Sequence, residues 1–276
     1  MEKIDSHNHF WQYDAIRDSW IADDMNVVRR DFLPEDLEPV LKECNIDGTV
    51  AVQASCSEAE TEFLLNLARQ NDFIRGIVGW VDLKGADIEE RLSHYSKEKK
   101  VKGFRHILQM EDVEGYLNNK NFLHGISLLD KYGFTYDILV YHYQLKYVEA
   151  FVEHFPSQRF VVDHLAKPDI KTGAVGIWGK EITALAKHDN VYCKISGMVT
   201  EADWKEWNPE HLKPYLDVAV QAFGTDRILF GSDWPVCLVA ASYKDWLKVL
   251  EDYFADFSSD ENANIFGGNA SRLYRL

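Results

Sequence analysis

The 276-residue sequence lacks the features typical of secreted, membrane-bound and nucleic-acid-binding proteins. Its N-terminus, MEKIDSH, has neither the basic nor the apolar segment of a secretory signal, and no apolar run approaches the roughly 18 residues of a membrane-spanning helix. The 30 lysines and arginines face 45 aspartates and glutamates, and this net charge of −15 argues against a nucleic-acid backbone or an anionic membrane as partner. We expect a soluble cytoplasmic protein that acts on a small molecule, and a local basic pocket could still bind an anionic one.

Cysteine is scarce, and none of the four cysteines belongs to a CxxC pair. We therefore expect reduced, partly buried thiols. No Pro/Gly/Ser-rich linker and no charge block divides the chain, and 46% hydrophobic residues suffice for one large core. The length is normal for one eight-fold barrel, so a single domain over 1–276 is expected.

Short apolar runs of strand type alternate with segments of helical periodicity. The runs are Lys3–Ser6, Thr49–Gln53, Ile74–Val81, Val101–Arg105, Phe134–Val140, Arg159–Asp163, Val191–Ile195 and Arg227–Gly231. Most are continuous, which is typical of parallel strands covered by helices. The helical segments are Glu35–Cys44, Ser57–Gln70, Ile88–Lys97, Phe122–Tyr132, Gln144–Phe155, Gly179–Lys187, Glu210–Phe223 and Tyr243–Phe254. This order predicts an α/β fold, a single (β/α)8 TIM barrel, with long loops after strands 1 and 7 at 10–33 and 197–209.

Polar side chains cluster at the carboxyl ends of these strands, where barrels of this kind carry their active sites. They are His7, His9, Asp82, Arg105, His106, Tyr141, His142, Asp163, His164, Lys194, Ser196 and Asp233. Five of the ten histidines are among them, whereas chance would scatter more of them into helices. This clustering predicts an active site at the mouth of the barrel.

The pair His7 and His9 is spaced so that both imidazoles face the same side of a strand and can chelate one divalent ion. Two turn histidines bonded to backbone are the alternative. Asp233, in the stretch FGSDWP, is placed to take a proton from an attacking water, although an aspartate before Trp-Pro also caps turns.

Other strand-end residues have two interpretations each. Arg105, followed by His106, offers a planar fork to a carboxylate or a polarised carbonyl, or else forms an ion pair inside the mouth. Lys194 either points into the site or pairs with a neighbouring acid. Trp80, one of several tryptophans near strand ends, either packs against a sugar or belongs to the core.

Six separated motifs resemble the metal-dependent amidohydrolase superfamily. In chain order they are DSHNHFW, GFRHILQ, VVDHLAKPDI, CKISGMVTEADW, RILFGSDWPVCLVAASY and NIFGGNASRLYRL. More narrowly, they resemble its sugar-lactone hydrolase branch, the L-fuconolactonase and L-rhamnono-lactonase type. The resemblance implies a (β/α)8 barrel that hydrolyses a cyclic ester, typically an aldonolactone, to the sugar acid.

The resemblance also implies roles by position, which we combine with the strand-end pattern. The catalytic residues expected are Asp233, which activates water, His164 and His142. The metal ligands expected are His7, His9, His142 and Asp233. The substrate contacts expected are Trp80, Asp82, Arg105, His106 and Lys194.

Binuclear members of the superfamily carry a carboxylated lysine after strand four, where this chain has Arg105-His106. The resemblance therefore predicts one divalent ion at most, with zinc favoured, and some members of this branch work without a tightly held metal. Two alternatives stay open. One is a pyrone-dicarboxylate lactonase or a metal-dependent decarboxylase of the same superfamily, and the other is a barrel that binds a sugar acid without turning it over.

Overall fold

The computed structural model describes residues 2–276 and contains one sheet of eight parallel strands in sequential order. The strands are β1 (Ile4–Asn8), β2 (Gly48–Val52), β3 (Ile74–Gly79), β4 (Val101–Ile107), β5 (Thr135–Leu139), β6 (Phe160–Val162), β7 (Val191–Ile195) and β8 (Ile228–Phe230). Each overlaps one predicted run. The sheet curves into a nearly closed barrel surrounded by helices, so the predicted (β/α)8 fold is confirmed.

Eleven α-helices lie in the described residues. They are α1 (Pro34–Glu43), α2 (Glu58–Gln70), α3 (Ile88–Tyr95), α4 (Val113–Leu117), α5 (Lys120–Tyr132), α6 (Val148–Glu153), α7 (Gly176–Leu185), α8 (Pro209–Phe223), α9 (Tyr243–Tyr253), α10 (Ser259–Ala263) and α11 (Asn269–Tyr274). Eight match predicted segments, whereas α4, α10 and α11 are too short for their periodicity to be recognised. None of the helices described combines the length and the apolarity needed to cross a lipid bilayer.

Side chains inside the barrel lie in layers. The lowest layer is apolar and includes Ile4, Val50, Val78, Val161 and Leu229, which pack against Leu273 and Tyr274 of α11. The C-terminal helix therefore closes the bottom of the barrel. Above this apolar floor lie buried charged residues, and above those lies the mouth.

The sheet closes between β8 and β1 through hydrogen bonds just beyond the two strands. The amide of His9 donates to the carbonyl of Trp234 at 2.7 Å, and the amide of Asp233 donates to the carbonyl of His7 at 2.8 Å. The same bonds that close the barrel therefore fix His7, His9 and Asp233 relative to one another.

The carboxylate of Asp5 reinforces this seam from within. It accepts hydrogen bonds from the amides of His7 and Ser232, at 3.0 and 2.9 Å, and from the Tyr243 hydroxyl at 3.1 Å. Burial raises the pKa of Asp5 to about 6, although the bonds from Ser232, His7 and Tyr243 lower it. Asp5 was not among the predicted functional residues, and its role is to hold the two motifs together.

Candidate active site

Four predicted site residues converge at the barrel mouth, and all four are buried: His7, His9, His164 and Asp233. The Nε2 atoms of His7 and His9 are 3.2 Å apart. Asp233 Oδ1 lies 3.3 Å from His9 Nε2, 3.9 Å from His7 Nε2 and 3.8 Å from His164 Nε2. One carboxylate oxygen thus faces three imidazoles.

The hydrogen bonds behind this cluster leave acceptor atoms facing one another. His9 Nδ1 lies 2.7 Å from the carbonyl oxygen of Val52, which only accepts, so Nδ1 carries the proton and the neutral ring keeps a lone pair on Nε2. His7 Nδ1 lies 3.3 Å from Asp163 Oδ1 and 3.2 Å from Lys194 Nζ. A metal bound at His7 Nε2 requires the proton of the neutral ring to be on Nδ1, facing the Asp163 carboxylate. Histidine ligands of metals are oriented in this way by carbonyls and carboxylates.

The spacing of these atoms fits one divalent ion. Ligands at about 2.0–2.1 Å from a tetrahedral zinc ion lie roughly 3.3 Å apart, close to the 3.2 Å between His7 and His9 and the 3.3 Å between His9 and Asp233. Within residues 2–276, His7, His164 and Asp233 also form a group whose ligand atoms lie within 4.8 Å of one another. The cluster therefore offers two imidazoles, a carboxylate and a third imidazole within reach.

That group includes His164 and omits two predicted ligands, His9 and His142. His9 still lies beside His7 and Asp233. His142 lies three residues beyond the end of β5, in the 3₁₀ turn His142–Tyr147, and its Nδ1 is 2.9 Å from the carbonyl oxygen of Lys167. His164, two residues beyond the end of β6, lies beside Asp233. His142 instead lines a depression beside the carboxyl ends of β4, β5 and β7.

The protonation states of the cluster also suit a cation. Burial lowers the pKa of His164 to about 4 and holds that of His7 well below its usual range. Burial alone would raise the pKa of Asp233, but the nearby His164, His9 and His7 outweigh it and bring the pKa below its usual range. At neutral pH the imidazoles of His7 and His164 are uncharged and the carboxylate is ionised, which is the form that binds a metal.

A layer of buried charges lies directly under the cluster. Lys194 Nζ lies 2.6 Å from Asp137 Oδ2 and 3.0 Å from Asp163 Oδ1, and Arg105 Nη1 lies 2.9 Å from Asp163 Oδ2. Burial would raise the pKa of Asp163, but Lys194, His7 and Arg105 bring it well below its usual range. Burial raises the pKa of Asp137 to about 6, against the opposing effect of Lys194.

This layer changes the interpretation of two predicted substrate contacts. Lys194 has no exposed surface, and Arg105 is only 3% exposed. Both side chains point into the barrel and are engaged by Asp137 and Asp163, because buried charges need partners. Of the two interpretations of Lys194, the structure therefore favours pairing with a neighbouring acid, and it gives Arg105 the ion pair. Each supports the floor of the site.

The remaining predicted contacts lie at the rim. Trp80 Nε1 donates to His106 Nδ1 at 3.0 Å, so the neutral His106 carries its proton on Nε2, which lies 3.2 Å from Glu111 Oε1. The His106 ring also stacks on Tyr116, with centroids 4.6 Å apart. The role of His106 is therefore to orient the half-buried Trp80 by accepting its hydrogen bond. Asp82, two residues after Trp80, is exposed.

The backbone at His164 is strained. Four consecutive non-glycine residues, His164 to Lys167, have φ between 50° and 57°, and Asp233 has φ 57°. A left-handed turn of this kind costs roughly 1–2 kcal/mol per residue. Trp178 holds it by donating from Nε1 to the carbonyl of Leu165 at 2.7 Å. Strain concentrated on two of the four clustered residues indicates that their placement matters.

Gly197, two residues beyond β7, lets the backbone after this strand lie close to His164 and Asp233. A Cβ at this position would lie 2.7 Å from His164 Nδ1 and 3.0 Å from Asp233 Oδ2, and φ is +61°. Only glycine combines that conformation with that space. His164 Nδ1 instead contacts the Ser196 hydroxyl at 2.8 Å.

Sequence reasoning missed several residues that support the site: Asp5, Asp137, Lys167 and Glu201. Asp137 carried a signal, since it is the one charged residue of the otherwise strand-like stretch FTYDILV. Asp5 is likewise a carboxylate inside a short strand. Lys167 and Glu201 lie on loops, where no periodicity identifies them.

Known proteins resemble this chain over nearly its whole length. The family model described as Amidohydrolase matches residues 4–276. The chain is 39% identical to an L-fucono-1,5-lactonase of Burkholderia multivorans, over 99% of this chain and 96% of that protein, and 35% identical to one of Burkholderia ambifaria with the same coverage. A crystal structure of a Burkholderia multivorans amidohydrolase with bound zinc covers 100% of both chains at 39% identity, with a TM-score of 0.97.

Replacing Lys194 with methionine tests the role of the charge layer. We expect Lys194→Met to lower the free energy of unfolding by about 3–5 kcal/mol, because it leaves Asp137 buried without its cation and leaves Asp163 with Arg105 alone. The matched control is Lys131→Met, which breaks an exposed pair with Glu89 and should cost less than about 1 kcal/mol. Urea unfolding measures both. A Lys194→Met protein with wild-type stability but a raised KM would contradict this expectation and would support Lys194 as a substrate contact.

Replacing Ala166 with glycine tests the strain in the left-handed turn. Glycine adopts φ 57° freely, so relief of strain offsets the lost methyl group and the added freedom of the unfolded chain. Ala184→Gly, in the regular helix α7, has no strain to relieve and should destabilise by about 1 kcal/mol. We expect the free energy of unfolding, measured by thermal unfolding, to be roughly 1–2 kcal/mol higher for Ala166→Gly than for Ala184→Gly. Equal losses in the two variants would show that the turn is unstrained.

Proposed function

The chain belongs to the amidohydrolase family, and we propose that it hydrolyses a sugar-derived lactone, an aldonolactone such as L-fucono- or L-rhamnonolactone, to the sugar acid. It is thus a carboxylic ester hydrolase. The observation that carries the proposal is the ionised carboxylate of Asp233, held among three imidazoles at the mouth of the barrel. Such a group can take a proton from water beside an ester carbonyl.

His7, His9 and Asp233 are the residues that would hold the metal. A divalent ion bound by them would lower the pKa of a water and polarise a carbonyl. The Burkholderia multivorans amidohydrolase structure contains bound zinc. Val52 and Asp163 orient the two imidazoles from behind. Arg105 and Lys194 keep Asp163 ionised beneath them.

We assign the proton transfers and the stabilisation of the oxyanion to side chains of the cluster. Asp233 takes the proton of the attacking water and returns it to the alkoxide that leaves when the ring opens. We place the proton of the neutral His164 ring on Nε2, with Nδ1 accepting from the Ser196 hydroxyl at 2.8 Å. That N–H, 3.8 Å from Asp233 Oδ1, stabilises the developing oxyanion. The Nδ1 of His142 donates to the carbonyl of Lys167, so the neutral ring keeps a lone pair on Nε2.

The charges near the mouth favour a neutral substrate over a planar dicarboxylate. Among the described residues, Arg105 and Lys194 are engaged by Asp163 and Asp137, and Lys167 by Glu201. The depression of about 730 Å³ beside the carboxyl ends of β4, β5 and β7 has carboxylates in its lining and no lysine or arginine, and Lys167 borders it only through its pair with Glu201. Its lining residues are Gln109, Met110, Glu111, Tyr141, His142, Tyr143, Gln144, Asp169 and Glu201. This argues against the pyrone-dicarboxylate and decarboxylase alternatives.

A panel of lactones tests the proposed reaction directly, since each ring opening releases a proton that a pH indicator detects. We expect the purified protein to open L-fucono- and L-rhamnonolactone, and to open 2-pyrone-4,6-dicarboxylate at least about 100-fold more slowly. Asp233→Asn should lose about 100-fold or more of the activity, because it removes the base. Binding without opening of any lactone would favour the non-catalytic barrel.

The matched control is Asp226→Asn, at an aspartate beside β8 that accepts a hydrogen bond from Asn264 at the surface. It should retain activity. Circular dichroism and thermal unfolding establish that each variant folds. A folded Asp233→Asn enzyme with wild-type turnover would contradict the assignment of the base.

Metal analysis tests the assigned ligands. We expect about one zinc per chain in the purified protein, a sharp loss of turnover on chelation, and recovery on adding zinc. His9→Ala should purify with little zinc, whereas His211→Ala, a histidine at the exposed start of α8, should keep it. Elemental analysis and activity measured on the same samples decide the matter. Full turnover by metal-free protein would show that His7 and His9 act on the substrate directly.

A further inference from the structure

The ion pair between Lys167 and Glu201 differs from the surface pairs of this chain. Lys167 Nζ lies 2.7 Å from Glu201 Oε1, and the two side chains are only 17% and 20% exposed. The neighbouring pair Lys171–Asp203 joins the same two loops at 3.4 Å, but its side chains are 65% and 41% exposed. Holding the loops together does not by itself require the buried pair.

The position of the pair links it to the site. Lys167 ends the left-handed turn that begins at His164, and its amide donates to the carbonyl of His164 at 2.7 Å. Its own carbonyl accepts the hydrogen bond from His142. Glu201 lines the depression beside the strand ends together with His142 and Tyr141. The pair is therefore attached to two predicted catalytic histidines, and through Glu201 it borders that depression.

We propose that Lys167 and Glu201 form a specificity-determining pair that binds two adjacent hydroxyl groups of the sugar lactone. This inference rests on the proposed function and adds to it the part of the substrate that is recognised. A hydroxyl group both donates and accepts. One hydroxyl accepts from the ammonium group of Lys167, and its neighbour donates to the carboxylate of Glu201.

The surroundings of the pair favour a polyhydroxylated ligand. Glu111 and Asp169 add further acceptors to the same wall. Tyr141 and Tyr143 stack with ring centroids 5.4 Å apart and 16° between their planes, and aromatic faces of this kind pack against the C–H faces of sugars. Tyr143 is 59% exposed, so its ring is available at the rim. A lactone without hydroxyls would find no partner for these polar groups.

The proposed pair also accounts for the strained turn from His164 to Lys167. It sets Lys167 next to both His142 and Glu201 while His164 stays beside Asp233. Sites built to hydrogen-bond a hydroxyl discriminate strongly against analogues that lack it, because the buried polar groups are then left unpaired. The turn thus joins the group that acts on the ester to the group that selects the sugar.

The experiment compares Lys167→Met and Glu201→Gln with wild type on the sugar lactone that wild type opens best and on δ-valerolactone, which has a lactone ring without hydroxyls. We expect kcat/KM on the sugar lactone to fall roughly tenfold or more in each variant, mainly through KM, because each change removes a charge-assisted hydrogen bond. Turnover of δ-valerolactone should change less than about twofold. Lys171→Met, the matched control at the exposed pair, should leave both substrates unaffected.

Thermal unfolding accompanies each measurement, and Lys167→Arg, which keeps the cation, should recover part of the affinity. Unchanged KM on the sugar lactone in both variants overturns the inference. So does a loss that falls on kcat and reaches both substrates equally, since it would mean that the pair acts on the reaction or the fold. A wild-type protein that opens no lactone overturns the proposed function instead, and the role of the pair falls with it.

Discussion

The carboxylate of Asp163 is the constraint on which the site depends. One of its oxygens contacts Lys194 and His7, and the other contacts Arg105, so a single buried group joins side chains of β1, β4 and β7 at the end of β6. Removing Arg105 or Lys194 would leave this buried carboxylate with one cation in place of two, and an incompletely compensated buried charge is destabilising. This interaction therefore keeps four strands in register and holds His7 in one orientation. The rest of the mouth is built on that fixed ring.

The layers of the barrel follow from this constraint. The apolar floor and the hydroxyl of Tyr274, which donates to Asp137 at 2.8 Å, isolate the charges from water below. In such surroundings electrostatic interactions are strong, and the groups they hold are well ordered. Functional side chains fixed by locked neighbours need little reorganisation when a substrate binds. The chain thus uses its buried charges to position the site, and leaves chemistry to the uncharged imidazoles and Asp233 above them.

The sequence predicted the parts of this arrangement that repeat. The strands and the main helices have periodic patterns, and the barrel rule places their polar ends together, so the convergence of His7, His9, His164 and Asp233 could be expected. Depth within the barrel could not. Whether Lys194 or Arg105 points up or down depends on strand tilt and on Asp137 from a different strand. The place of His142 depends on a 3₁₀ turn, and the left-handed turn after His164 has no glycine to announce it.

The acidic character of the mouth has a further consequence for the reaction. A lactone enters neutral, but its hydrolysis product is a carboxylate, so the net charge of the ligand changes by one unit at the site. Glu111, Asp169 and Glu201 line the depression beside the strand ends, and the nearby Lys167 is already paired. The field of these groups does little to a neutral substrate and repels the anion. The same charges that leave hydroxyl groups as the main features to recognise therefore favour release of the product once the ring has opened.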